Sequence, residues 1–110
     1  MRNYVQAGDV IAAIAPYALA SGQGVLVGSM FGVAAYDAAN GALANIKRKG
    51  VFDITALTAD TGTVGAKVYW DDTARRLTVT AAGNTLVGCL ALAKAGTDAT
   101  ARVLLDGAIR

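Results

Sequence analysis

The stretch VYWDDTARRLT, residues 68–78, decides the fold. Asp71 and Asp72 stand just ahead of Arg75 and Arg76, so it reads either as a site of paired acids and arginines or as the turn of a hairpin. Val68-Tyr69-Trp70 has the β-branched and aromatic composition of a strand. Beyond the charges, Leu77-Thr78-Val79-Thr80 alternates apolar and polar residues, the pattern of a half-buried strand. Asp71 to Arg76 is then a tight connection, in which an Asp at the start accepts the amide hydrogen two residues on. Neighbouring side chains of a strand point to opposite faces, so Asp71 and Asp72 do not converge on one ion. An exposed Arg–Asp pair across such a turn contributes about 0.2–1 kcal/mol. The stretch is a hairpin.

Outward from it, short runs rich in Val, Leu, Ile and Thr recur between glycines. The strands expected are Tyr4–Gln6, Val10–Ile14, Tyr17–Leu19, Gly24–Val27, Met30–Ala35, Leu43–Lys47, Val51–Thr55, Lys67–Trp70, Leu77–Thr80, Thr85–Leu92 and Ala101–Leu105. No segment carries a sustained helical stripe with caps. Asp37 to Lys47 has room for one helical turn, although Asn40-Gly41 is the stronger signal and marks a hairpin. Regular short strands with turn signals make a compact all-β domain, a β-sandwich or small barrel with short hairpin turns, spanning residues 1–110 without a linker.

Composition narrows the function. Hydrophobic residues make up 55% of the chain, but 24 of the 110 positions are alanine and only 6% are aromatic. Alanine has little area to bury, so the core falls to Val, Leu, Ile and a few rings. A core of that kind gains from covering further surface with a partner. All eight acids are Asp, a turn-former, and the net charge is only +2. Scattered bases at that charge leave no nucleic-acid footprint. The one basic cluster, Lys47-Arg48-Lys49, reads as a solvated strand end or loop.

Histidine is absent and Cys89 is the lone cysteine. The usual general base, the commonest metal ligand and any intrachain disulfide are therefore missing, and no cofactor is implied. Cys89, in an apolar run, reads as a small buried hydrophobe, and a lone thiol fits a cytoplasmic origin. Gly22 to Ser29, GQGVLVGS, imitates a phosphate loop, but its glycines bracket a Val-Leu-Val strand and no helix follows. Arg2 followed by VIAAIAPYALA and Ala18-Leu19-Ala20 imitates a signal peptide, against which stand Gln6, Asp9 and Pro16. No run reaches the ~20 apolar residues of a membrane span. Tyr69 and Trp70 alternate, so one ring faces the core and the other a different surface. Trp70 is left open between core and interface.

Taken in order, NYVQAGDVI, SGQGVLVGSMFGVAAYDA, KGVFDI, GAKVYWDDTARRLT, GNTLVGCLA and ARVLLDG resemble the small phage and prophage proteins of the DUF2190 type. These are regarded as capsid cement or head-decoration proteins. The resemblance covers nearly the whole chain, and VYWD followed by GNTLVG carries most of it. It implies a β-sandwich of jelly-roll or related barrel type. It also implies a homodimer or homotrimer on the outer surface of the virion head, tying neighbouring major capsid protein subunits together. The charge balance and the lack of a long apolar run, for their part, lead to the expectation of no nucleic acid and no membrane as partner. The family brings no catalytic residues.

Strand addition across a sheet edge is one contact mode for such a protein, with Met1 to Gln6 as a candidate arm. The candidate interface is Tyr4, Val5 and Gln6 of that arm together with Tyr69 and Trp70. A second reading, from another class, is a displayed module that binds carbohydrate or a host surface, with Tyr36, Tyr69 or Trp70 stacking on a sugar. A hydrolase is the weakest of the three, resting on Asp71 and Asp72 alone.

Overall fold

The structure is a computed structural model and describes residues 8–109. Its strands are β1 (Val10–Ile14), β2 (Gly24–Val27), β3 (Met30–Ala34), β4 (Leu43–Lys47), β5 (Lys49–Thr55), β6 (Lys67–Asp71), β7 (Arg76–Thr78), β8 (Thr85–Leu90) and β9 (Thr100–Asp106). No helix occurs among the described residues. The strands form two antiparallel sheets, one ordered β1-β4-β3-β2 and the other β5-β9-β8-β6-β7. All-β is the fold, as the turn and strand chemistry required. The first sheet has the order of a Greek key, three consecutive strands with β1 returned beside β4. The jelly-roll type is not established by this strand order.

Most expected strands form within a residue or two of their expected ends. Tyr17–Leu19 does not: Leu19 makes a single bridge to Ala38, because Pro16 has no amide to continue a ladder and the chain turns there. The expected Tyr4–Gln6 lies outside the described residues. At Asn40-Gly41 the chain makes a turn closed by the Ala42 amide donating to the Ala39 carbonyl at 2.9 Å, with Gly41 at φ 86°. That positive φ at the third turn position is the type II pattern, which glycine adopts without strain. The turn is a corner between β3 and β4, not a two-residue hairpin.

β4 runs almost directly into β5, so one stretch of chain leaves the first sheet and enters the second. Arg48 sits at that crossing. Its amide donates to the Asp9 carbonyl at 2.7 Å. Its guanidinium donates to the Gly8 carbonyl at 2.7 Å and also to the Gly107 carbonyl. One side chain thus ties both ends of the described chain to the corner. The basic cluster is therefore divided: Lys47 and Lys49 are exposed strand residues, and Arg48 is a half-buried staple.

The second sheet curls until its outer strands meet. Ala56, just past β5, bridges Leu77 of β7 in parallel, and the Leu57 amide donates to the Leu77 carbonyl at 2.9 Å. Inside the curl lie Ile54, Val68, Trp70, Leu77, Val87, Leu90, Ala101, Val103 and Leu105, with Phe31 and Val33 of the first sheet packed onto them. The Phe31 and Trp70 rings meet at 5.1 Å, inclined by 50°. Trp70 is 1% exposed, and it fits because position 24 is glycine: a Cβ there would lie 2.7 Å from its ring. A smaller cluster of Ala15, Leu19, Val25, Ala34, Ala44 and Ile46 serves the first sheet. Three of its six members are alanine, so it buries far less apolar area per residue.

Candidate functional site

The hairpin at 71–76 shows what its charges do. One Asp71 carboxylate oxygen accepts the amides of Thr73 at 3.0 Å and Ala74 at 3.1 Å, an Asx turn. Asp71 faces Arg76 across the ladder, and Arg75 takes φ 57° to close the loop. Asp72 points elsewhere. Its Oδ1 accepts the Trp70 indole N–H at 3.0 Å and the Tyr17 hydroxyl at 3.1 Å. The Tyr17 oxygen in turn accepts the Leu26 amide at 3.2 Å. Arg75 lies over the Tyr17 ring, 3.6 Å from its centre, with its Nη1 3.8 Å from the Asp72 carboxylate. Burial raises the Tyr17 hydroxyl above the ordinary tyrosine value; the Leu26 hydrogen bond opposes that and the Asp72 carboxylate adds to it.

The two aspartates therefore diverge, as strand geometry required, and the turn is a latch between the sheets. It joins β6 to β2 and to the Tyr17 segment. No composition or spacing signal assigned Tyr17 to it, because Tyr17 and Asp72 are 55 positions apart.

A second polar anchor also escaped the sequence. Lys94 is 6% exposed, and its ammonium donates to the carbonyls of Thr58 at 3.0 Å, Asp60 at 2.7 Å and Ala95 at 3.2 Å. Three donors meet three acceptors, the arrangement that makes a buried ammonium tolerable. The Asp60 carboxylate meanwhile accepts the Thr78 hydroxyl at 2.7 Å and the Val79 amide at 3.0 Å. Both groups are spent on holding the loop after β5 against the end of β7. Among the described residues, no group of three His, Cys, Asp or Glu is placed to hold a metal ion.

What remains is surface. Among the described residues, β1 is an edge strand of the first sheet, paired with β4 on one side only. It reads Val-Ile-Ala-Ala-Ile without a charge; Val10, Ala12 and Ile14 are exposed, while Ile11 and Ala13 are half-buried, Ala13 against the first sheet's core cluster. Val10 is 42% exposed, and Ile14, 59% exposed, stands opposite Leu43 at 67%. Uncharged open edges invite pairing with another strand, and proteins ordinarily blunt them. The other apolar surface is the outer face of β5 and β9, where Val51 and Leu104 stand opposite one another. Cys89 of β8, expected to be buried, is half-exposed on that face, opposite Leu104.

Of the residues singled out from the sequence, Trp70 takes the core role of the two left open for it, and Tyr69 is half-exposed. Tyr36 is exposed. Tyr4, Val5 and Gln6 lie outside the described residues. The structure brings Trp70 and Asp72 together with Tyr17, and leaves the apolar surface to strands that were named from sequence only as strands.

The family model described as phage cement protein matches residues 5–105. The chain belongs to that family, a structural family of the phage capsid. No curated protein matches it, and neither does any solved structure.

Proposed function

We propose that the protein binds the outside of a phage head and clamps neighbouring major capsid protein subunits, with β1 as the capsid-facing edge. The observation that carries this is the uncharged edge strand Val10–Ile14, unpaired on its outer side among the described residues, with the exposed Ile14–Leu43 pair beside it. An added capsid strand would satisfy the row of edge N–H and C=O groups, and Val10, Ile14 and Leu43 would supply the apolar contact. The candidate arm Met1 to Gln6 lies three residues before this edge in sequence, and Tyr4, Val5 and Gln6 remain candidate capsid contacts in this reading.

Clamping follows from repetition. Each added contact is modest, but a symmetric head repeats it, and the contacts must break before the shell opens. Family membership over residues 5–105 supports a capsid role; the outer surface, the clamped subunits and the edge are the content of the proposal. Co-sedimentation of the purified protein with undecorated heads tests it. The expected result is saturable binding at a fixed ratio to the capsid subunit, with heads that withstand heating longer. No binding at micromolar protein would refute it. Reproducible glycan hits without head binding would favour a displayed carbohydrate-binding module instead.

A further inference from the structure

The outer face of β5 and β9 carries a pattern that the edge strand does not. Along β5 the exposed side chains run Asp53, Val51, Lys49, and opposite them on β9 stand Arg102, Leu104, Asp106. Two apolar side chains thus sit at the centre, with four charges at the corners. Round the square the signs alternate: Asp53, Arg102, Asp106, Lys49. Within the chain, Arg102 already holds Asp53 through Nε at 3.0 Å and Nη2 at 3.2 Å. The centre is open, Val51 at 54% and Leu104 at 44% exposed. It continues across Cys89 into a groove of about 210 Å³ lined by Lys67, Leu86, Gly88, Cys89, Leu104 and Asp106. At Gly88 the β9 backbone comes so close that a Cβ there would lie 2.1 Å from the Leu104 carbonyl oxygen.

An alternating square has a definite geometric property. When it meets a copy of itself face to face about a twofold axis lying along the strands, Asp53 faces Arg102 and Lys49 faces Asp106. When the axis lies across the strands, Asp53 faces Lys49 and Arg102 faces Asp106. In both arrangements every corner meets the opposite sign and the apolar centres coincide. A surface complementary to itself is what an isologous dimer requires, whereas a surface built for an unrelated protein has no reason to satisfy that condition. Sheet faces stack at about 10 Å, a distance that Val and Leu side chains from both sides fill.

We propose that this face is the interface between two copies of the chain, a second copy stacking its β5–β9 face on the first. The inference goes beyond the cement reading and does not rest on it, because self-association is measured without capsids. The dimer presents two β1 edges, one from each copy.

Sedimentation equilibrium of the full chain is the test, with near-ultraviolet circular dichroism and Trp70 emission as the check that each variant is folded. The wild type is expected at twice the 11.1 kDa chain mass at tens of micromolar. Leu104→Asp, which puts a charge at the centre, should raise the dissociation constant about a hundredfold or more. Lys49→Glu, which makes two corners repel on either axis, should raise it about tenfold. A wild type that stays at the single-chain mass would overturn the proposal, as would a trimer. So would a dimer that Leu104→Asp or Lys49→Glu leaves unchanged. Loss of head binding in Leu104→Asp alongside a monomeric wild type would assign the face to the capsid instead.

Discussion

The two sheets solve the same problem in opposite ways. The second curls until β5 and β7 meet at Ala56 and Leu77, so its outer strands close on each other, and its interior is filled around Trp70. Among the described residues the first leaves β1 open, and half of its own core cluster is alanine. One sheet is finished by its own chain. The other is held in place by its neighbour, through Phe31 on Trp70 and through Tyr17 on Asp72, and leaves its β1 edge unpaired among the described residues. Stability is therefore expected to reside in the second sheet and recognition in the edge of the first.

Removing the large ring attacks this division hardest. Trp70→Ala should cost about 3–5 kcal/mol and loosen both sheets, because the ring fills the second core and supports Phe31 and Gly24. Ile46→Ala, in the alanine-rich cluster, should cost less, about 2–3 kcal/mol. Equal losses in urea unfolding would contradict the asymmetry. Next comes Lys94→Met, which takes the ammonium from the Thr58 and Asp60 carbonyls and leaves the Ala95 carbonyl with only the Asp98 amide, and should cost about 2–3 kcal/mol. The measurement is again urea unfolding, and a neutral result would mean that the loop after β5 does not need its anchor.

The latch gives a smaller effect with a sign in pH. Tyr17→Phe should cost about 1 kcal/mol, through the unpaired Leu26 amide and the lost bond to Asp72. The hydroxyl is raised above its ordinary value of 10.0, so the folded state holds that proton more tightly than the unfolded state. Its contribution is complete below pH 10 and declines as pH rises through the folded value. Thermal melts of the wild type should lose this increment in alkali, and Tyr17→Phe should not show it. Smallest for the fold is Val10→Lys with Ile14→Lys, expected to change stability by no more than about 0.5 kcal/mol. The same pair should weaken head binding at least tenfold, and an unchanged head affinity would place recognition elsewhere.

Local chemistry made the hairpin legible. Strand alternation and the Asx signal at Asp71 fixed the turn and excluded a convergent acid pair, since both depend on neighbours in sequence. The same logic placed β1, β2 and β4 at their observed limits. Resemblance supplied the family, which the match over residues 5–105 bears out. The polar anchors were out of reach for a physical reason. Tyr17 meets Asp72 and Lys94 meets Thr58 only after the sheets pack, and no periodicity encodes partners 55 or 36 positions apart. Cys89 was misplaced because an apolar run reads as core on both faces. In the fold, Leu90 points inward while Cys89 shares the outer row with Leu104. The alternating square likewise needed the β5–β9 register, which pairs residues 49 and 106.

Amide hydrogen exchange with and without undecorated heads tests the central claim most directly. If β1 receives a capsid strand, amides within Val10–Ile14 should gain strong protection when heads are added, while those of β6 and β8, already paired on both sides, stay as they were. Heads that bind the protein and leave β1 exchange unchanged would contradict the account.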